Sequence, residues 1–191
     1  YQTLQDFEGF KLELIRFLSI DCPVDEAEFK SLKSEDLSNE VYQNALTNYK
    51  TKSEVISQKT YPVIKDVYEN QSATYQNIVI PFTDGLKTLQ VVTNLKEAFE
   101  SEGGNIPLSI EKGVSLAIID ESWKENLREL DDLKQSVQNA TYEQKDPLLI
   151  YKFESFNLFK QMIEKVNKDI VSFLMKANLP TNFCPTRAKN C

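Results

Sequence analysis

The chain has 191 residues, of which 41% are hydrophobic, 27% are charged and five are glycines, and its net charge is -7. This composition is sufficient for a buried core and disfavours a loop-rich or all-β fold, and the acidic balance lacks the concentrated basic residues of a nucleic-acid binder. Histidine is absent from the sequence, which excludes Ser-His-Asp and Cys-His catalysis and every histidine metal site.

Two helices are predicted at the start of the chain, followed by a much longer helical pattern. The apolar residues of the first recur at helical spacing: Leu4, Phe7, Phe10, Leu14, Phe17 and Leu18. Asp25 and Glu28 have the spacing of a capping box and predict the start of a short second helix. The third pattern runs from Asp36 to about Tyr75, and Pro62 inside it predicts a kink or a break near Tyr61.

A β-hairpin is predicted near residues 77–92, where two β-branched segments flank an Asp-Gly turn. Pro81 has no backbone donor, so the first strand lies at a sheet edge or Pro81 lies at its end. Asn94 is a suitable cap for a short helix, and Gly103-Gly104 closes that helix. Because an isolated hairpin is only marginally stable in water, we expect this one to pack on neighbouring helices.

Two long amphipathic helices follow the glycine pair. Trp123 lies in the apolar pattern of the first, while Asp146 is the cap of the second and Pro147 occupies its favoured first position. Phe156 and Phe159 belong to an apolar series with steps of three and four, which predicts that they pack the second helix against the first as an antiparallel pair. The expected fold is mainly α: a long antiparallel helical hairpin plus a smaller helical lobe carrying a short β-hairpin.

These patterns predict three parts. A helical lobe with the β-hairpin insertion near 77–92 occupies residues 1–105, the helical hairpin occupies 106–178, and a disordered tail occupies 179–191. The chain does not begin with methionine, so we expect it to be a piece of a longer protein.

The residues alone offer no catalytic or cofactor site. Three cysteines, an odd number, argue against a disulfide framework and favour the cytoplasm. Cys184 and Cys191 cannot complete a four-ligand zinc site without further ligands. Neighbouring acids such as Asp120-Glu121 diverge by about 100° on a helix and are best explained as a solvated face. We therefore expect no enzyme, cofactor or metal in this chain, and a hydrolase built on carboxylate pairs has little support.

Residues 123–159 resemble a specific family. The segment WKENLRELDDLKQSVQNATYEQKDPLLIYKFESFNLF is similar to the C-terminal helical scaffold of SecA, the preprotein translocase ATPase of bacteria. Residues 1–105 follow the order of elements in SecA's helical wing domain, and the β-hairpin resembles an insertion in SecA from the Bacteroidetes. Asn126 departs from the pattern, because most members have His there. The tail CPTRAKNC also lacks SecA's zinc-binding pattern, so a zinc site does not carry over.

The resemblance implies a C-terminal fragment of a motor, the wing plus the two-helix finger. ATP and Mg would belong to nucleotide-binding domains of the parent protein, which would be a protein-translocating ATPase, and not to this chain. The implied partners are those nucleotide-binding domains, the SecY channel complex and unfolded preprotein, with no nucleic acid. The implied location is cytoplasmic, peripheral at the inner membrane.

The same resemblance places Tyr142 at the fingertip with Lys145 beside it, where they would contact the polypeptide and the channel. A tyrosine offers a flat apolar face and one hydroxyl, so it can contact many sequences without selecting one. The residues alone also allow Tyr142 to pack over the end of the hairpin. They also leave open a free-standing helical adaptor whose hairpin docks a partner helix in an apolar groove.

Overall fold

The structure, a computed structural model, describes residues 1–72, 74–138, 146–180 and 186–187. The helices over these residues are α1 (Phe7–Leu18), α2 (Glu26–Ser31), α3 (Ser34–Gln71), α4 (Leu95–Glu100), α5 (Ile106–Gln138) and α6 (Pro147–Lys176). The strands are β1 (Asn77–Thr83), β2 (Thr88–Asn94) and β3 (Thr186–Arg187). The prediction of a mainly α fold with a short β-hairpin is confirmed.

The chain forms two compact units. The first comprises Tyr1–Gly113 and Ser172–Cys191, and the second comprises Val114–Val171. Helix α5 passes from the first unit into the second at Val114, and α6 returns to the first at Ser172. The first turns of α5 and the last turn of α6 therefore belong to the unit that carries the β-hairpin, whereas the sequence placed the division after residue 105.

The N-terminal helices of the first unit pack around Phe29, which is fully buried. The rings of Phe7 and Phe10 lie 5.3 and 5.0 Å from the Phe29 ring, between centroids. The predicted capping box is confirmed: the Glu28 backbone N–H donates to Asp25 Oδ1 at 2.8 Å, and the Asp25 N–H donates to Glu28 Oε2 at 3.2 Å. These bonds satisfy helix-end donors that would otherwise lack partners.

Helix α3 runs without a break through Pro62, so the break offered as one possibility from the sequence does not occur. Proline removes one backbone hydrogen bond from a helix interior. Beside it, the face formed by Ile56, Thr60 and Ile64 is buried, and burial of a helix face stabilises a helix more than local propensity does. Near the end of α3, the ring of Tyr68 stacks on Phe99 of α4 with 4.1 Å between centroids.

The sheet has the strand order β2-β1-β3, and both pairings are antiparallel. The buried side chains Ile78, Ile80 and Phe82 alternate along β1, as expected for a sheet with one covered face. The first turns of α5 lie on the sheet, because a Cβ built on Gly113 would lie 3.3 Å from a methyl group of Val91. The predicted packing of the hairpin on a helix is thereby confirmed.

Gly103 ends α4, as predicted. Its backbone N–H donates to the Ala98 carbonyl at 2.8 Å, and its φ of +81° lies in the left-handed region that favours glycine. A Cβ at this position would lie 2.9 Å from the Ser57 carbonyl oxygen of α3. The glycine therefore allows both the helix end and its close approach to α3.

The sequence predicted a disordered tail over residues 179–191, but two of these residues form a strand. Thr186 and Arg187 form β3 and pair with Val79 and Ile78 of β1. Backbone pairing with an existing strand supplies hydrogen bonds that composition does not reveal. Residues 181–185 and 188–191 lie outside the part of the chain that the structure describes.

Candidate functional site

One face of α3 holds the start of α5 and the end of α6. The Tyr49 hydroxyl donates to Glu111 Oε1 at 2.9 Å. Lys52 Nζ donates to the carbonyl oxygens of Leu174 and Met175, both at 2.9 Å. Tyr49 and Lys52 are three residues apart and thus share a helix face. We call this set of five residues the root joint, because both long helices begin or end at it.

The chemistry of a helix end explains the contacts of Lys52. The last four carbonyls of an α-helix have no partner within the helix, and that end carries a partial negative charge. Helix α6 ends at Lys176, so Leu174 and Met175 are two of these residues. The Lys52 ammonium supplies hydrogen-bond donors to their carbonyls and a positive charge at the negative end of the helix.

Burial shifts the titration of both α3 side chains. Desolvation lowers the pKa of Lys52 to about 8, from an ordinary 10.5. Desolvation, and then the bond to the Glu111 carboxylate, raises the pKa of Tyr49 well above its ordinary value. Tyr49 therefore stays a neutral donor at physiological pH, whereas Lys52 titrates close to that range.

The second residue after the end of α6 pairs with the β-hairpin. The Thr83 N–H donates to the Asn178 carbonyl at 3.0 Å, and the Asn178 N–H donates to the Thr83 carbonyl at 2.9 Å. Burial alone would raise the pKa of the neighbouring Asp84 carboxyl, but backbone N–H donors in the turn and the charge of Lys176 lower it. The end of α6 thus contacts α3 through one set of bonds and β1 through another.

Asp146 and Pro147 lie where the sequence placed them, at the start of α6. Asp146 Oδ1 accepts the backbone N–H of Leu148 at 2.9 Å, and Pro147 is the first helical residue. This is the geometry of a helix N-cap followed by proline at the first position.

The aromatic residues predicted to join the two long helices are exposed, and that prediction is corrected. Phe156 is 65% exposed and Phe159 is 44% exposed, whereas Val166 on the same helix is only 6% exposed. With 3.6 residues per turn, Phe156 lies about 80° around the helix axis from Val166. The sequence pattern thus combined covered positions such as Val166 with exposed positions such as Phe156, while Phe159 is exposed although it lies only about 20° from Val166 around the axis. Trp123 is likewise 46% exposed.

The second unit consequently exposes an apolar stripe on each helix. The residues on α5 are Leu116, Ile119, Trp123 and Leu127, and those on α6 include Leu149, Phe153, Phe156 and Ile163. A groove of about 270 Å³ on α6 lies among Leu149, Lys152, Phe153 and Phe156. Exposed apolar surface of this extent is typical of a face that contacts another protein surface.

The two proposed contact residues, Tyr142 and Lys145, lie outside the described residues. Asn126 is 2% exposed on α5. Within the described part of the chain, neither its amide oxygen nor its amide nitrogen has a hydrogen-bond partner. A buried amide without partners opposes folding.

The root joint was not predicted from the sequence. The sequence did contain a signal for it. Lys52 stands three residues after Tyr49 and four before the buried Ile56, so a positively charged side chain lies on the same helix face as a buried apolar one. The partners of Lys52 are backbone carbonyls more than a hundred positions away, and backbone groups leave no mark in a sequence.

The described residues contain neither a metal-binding cluster nor a membrane-spanning helix. No group of three or more His, Cys, Asp or Glu side chains is arranged to hold a metal ion. None of the described helices combines the length and the apolar character needed to cross a membrane.

Comparison with known proteins gives one consistent result. The family model described as the SecA wing and scaffold domain matches residues 2–178. A protein translocase subunit SecA of Christiangramia forsetii is 50% identical over 97% of this chain, which covers 16% of that protein. The corresponding protein of Parabacteroides distasonis gives the same identity and coverage, and that of Porphyromonas gingivalis is 44% identical over 98% of the chain and 17% of its own length. No solved structure matches.

The chain therefore spans about one sixth of the length of these curated relatives. The expected similarity to Bacteroidetes-type SecA over the wing and scaffold is confirmed. The alternative of a free-standing adaptor is not favoured by these matches.

Proposed function

Because the chain belongs to the family of SecA wing and scaffold domains, we propose that it serves as the wing and two-helix finger of a protein-translocating motor. The relatives are named protein translocase subunits, and this chain matches a minor part of each. ATP and Mg would act in nucleotide-binding domains elsewhere in the parent chain, with no cofactor bound by this part.

The observation that carries the proposal is the root joint. A lever needs its base fixed to one body, and Tyr49 and Lys52 attach the first turns of α5 and the last turn of α6 to a single helix. Helix α5 has 33 residues, and so extends for about 50 Å at 1.5 Å per residue. Closely packed helices resist compression, so a small rotation at the base would displace the far end of a long helix substantially.

The exposed stripes of the second unit support the same proposal. Phe153 and Phe156 are 63% and 65% exposed, more apolar surface than a helix usually leaves in water. We assign the partner of these stripes to other domains of the parent chain, including its nucleotide-binding domains.

The tip residues are proposed to act on the substrate. Tyr142 would contact the unfolded preprotein through its ring, and Lys145 would lie beside it at the mouth of the SecY channel. A motor with these partners works at the cytoplasmic surface of the inner membrane, which it would bind peripherally.

The test is Tyr142→Ala in the full-length parent. We expect weaker translocation with nearly unchanged basal ATP hydrolysis, because the substitution removes a polypeptide contact and leaves the nucleotide-binding domains untouched. Tyr42→Ala is the matched control, since Tyr42 is a 59% exposed tyrosine on α3 and its loss should leave translocation unchanged. Translocation by Tyr142→Ala equal to that of the wild type would contradict the proposal.

A further inference from the structure

Strand β2 is the last strand on one side of the sheet, and within the described residues no strand lies beside its outer edge. The N–H and C=O of Thr83 both bond to Asn178 and so point away from β2. Thr88 lies opposite Thr83 and points away from β1 in the same way. Because backbone groups alternate sides along a strand, those of Gln90 and Val92 also face the outer edge. No hydrogen bond of the described residues reaches these three residues there.

The outer edge of β2 lacks the features that usually keep an exposed strand edge from pairing. Proteins protect such edges with charged side chains, proline, bulges or very short strands. The seven residues of β2, TLQVVTN, include no charge and no proline, and their one-to-one register with β1 contains no bulge. Threonine and valine also favour extended backbone. The edge is therefore a template for pairing with another extended chain.

A cleft of about 460 Å³ lies at one end of this edge, within the size range of ligand pockets. Asn94, the last residue of β2, is one of its walls, and Tyr68, Tyr75 and Lys96 are others. The ring of Tyr68 is held in place by Phe99, on which it stacks. A tyrosine offers an apolar face and a hydroxyl, so it contacts side chains of many kinds. A strand paired with β2 would thus reach a cleft that can receive one of its side chains.

We propose that the outer edge of β2 and this cleft bind an extended segment of unfolded polypeptide, which adds to the hairpin as a further strand. Main-chain hydrogen bonds supply the affinity of strand addition, and every polypeptide has the same main chain. The exposed side chains on this strand, Thr88, Gln90 and Val92, are uncharged and so do not select a partner by charge.

The source of the polypeptide rests on the proposed function, because an unfolded preprotein is the extended chain that a translocating motor holds. The seven residues of β2 span about 23 Å at 3.3 Å per residue. So short a contact suits a substrate that must be released, whereas a stable subunit interface needs a larger surface. The β-hairpin insertion would thus be a second contact for the polypeptide, on the wing and separate from the proposed tip.

The first test is amide exchange in the full 191-residue chain, measured by NMR with and without a soluble peptide of alternating threonine and valine with a lysine at each end. Strand addition should protect the amides of Gln90 and Val92 and leave those of Leu89 and Val91 unchanged, because the latter already face β1. At a peptide concentration of about ten times its Kd, the protection should be about tenfold. Uniform protection along β2, or no protection at the highest soluble peptide concentration, would overturn the proposal.

A pair of variants at the centre of the edge provides the second test. Gln90→Pro removes an outward N–H and leaves the bonds to β1, so it should weaken peptide binding at least about fivefold, as expected for one lost hydrogen bond. Gln90→Thr keeps the N–H and should bind as the wild type does. Slow exchange at Leu89 and Val91 reports whether Gln90→Pro keeps the hairpin, and the first test does not depend on this variant.

Two outcomes of these measurements would contradict the proposal. Equal peptide affinity of folded Gln90→Pro and Gln90→Thr would show that the outer edge does not bind the peptide. Alternating protection that appears without peptide as the chain concentration rises would make a second copy of the chain the occupant.

The source of the polypeptide is tested by photocrosslinking in the full-length parent during translocation. A benzophenone side chain at position 90 should crosslink to the preprotein, whereas the same group at Tyr42, which is 59% exposed on α3, should not. Absence of crosslinks from position 90 while translocation proceeds would overturn the assignment to preprotein. Alternating protection by the peptide, together with a parent that does not translocate, would support the site and contradict only the proposed function.

Discussion

Lys52 is the residue on which the proposed role of the wing most depends. Its ammonium lies against the end of α6, where two backbone carbonyls accept its hydrogen bonds. Burial of a charged group is unfavourable, which is the cause of its lowered pKa. A lysine kept in such a position supplies a contact that an apolar residue of similar size cannot replace.

The lowered pKa of Lys52 predicts a pH-dependent stability. Between about pH 8 and pH 10.5 the unfolded chain holds a proton on this lysine that the folded chain has released, so the free energy of unfolding rises with pH in this window. The raised pKa of Tyr49 acts oppositely, but only above the ordinary pKa of tyrosine, 10.0. We therefore expect the wild type to gain stability relative to Lys52→Met when the pH is raised from about 7 to about 9. Urea denaturation of both proteins at each pH measures the free energies of unfolding.

Lys50→Met is the control for that titration, because Lys50 is exposed on the same helix. Its stability difference from the wild type should stay constant over the same pH range. A constant difference for Lys52→Met as well would show that Lys52 is not desolvated.

Asn126 gives a second prediction about a single residue. Its amide is buried without described partners, and an unsatisfied buried polar group costs about 1–3 kcal/mol. Asn126→Leu should therefore raise the free energy of unfolding by about 1 kcal/mol more than Asn157→Leu, an exposed substitution that makes the same change in helix propensity. Equal effects in thermal or urea unfolding would mean that the Asn126 amide is satisfied by water.

Local signals in the sequence were sufficient for residues whose partners are neighbours in the chain. The capping box of Asp25 and Glu28 and the cap at Asn94 are contacts over three residues, and both are found. The bonds of Lys52 and Tyr49 span 122 and 62 positions. No spacing rule specifies such partners, so the root joint required the fold.

At the scale of elements, α6 shows where periodicity alone was misleading. Its apolar residues include covered and exposed positions, and steps of three and four fit both. The burial of Val166 and the exposure of Phe156 show that the spacing does not separate them. Of the kink or break that Pro62 predicted in α3, the break does not occur, and the buried face of the helix extends on both sides of the proline.

Because Val166 is covered and Phe156 is exposed, truncating the smaller side chain should destabilise the chain more than truncating the larger one. Phe156→Ala removes a large side chain that is mostly in water, so the free energy of unfolding of this chain should change by no more than about 0.5 kcal/mol. Val166→Ala removes two buried methyl groups and should cost about 2 kcal/mol. Urea unfolding of both variants measures the two values, and a larger loss for Phe156→Ala would restore the original role of Phe156 as a packing residue.

At the scale of the whole molecule, the chain matches its family over nearly its whole length. The family model covers residues 2–178, and the fold class expected from the sequence is the one observed. The sequence alone could not divide the chain as its packing does, because α5 and α6 cross from one unit to the other without any change in helical pattern. Both boundaries, after Gly113 in α5 and after Val171 in α6, lie inside helices that continue across them.

We propose that the root joint couples the finger to the rest of the motor. The most direct test is the amount of preprotein translocated per ATP hydrolysed by the full-length parent carrying Lys52→Met, with Lys50→Met as the control. Losing charge-assisted hydrogen bonds worth about 1.5 kcal/mol corresponds to roughly a tenfold change in an equilibrium. We therefore predict up to about a tenfold lower ratio for Lys52→Met and a wild-type ratio for Lys50→Met. A wild-type ratio in Lys52→Met would contradict the account.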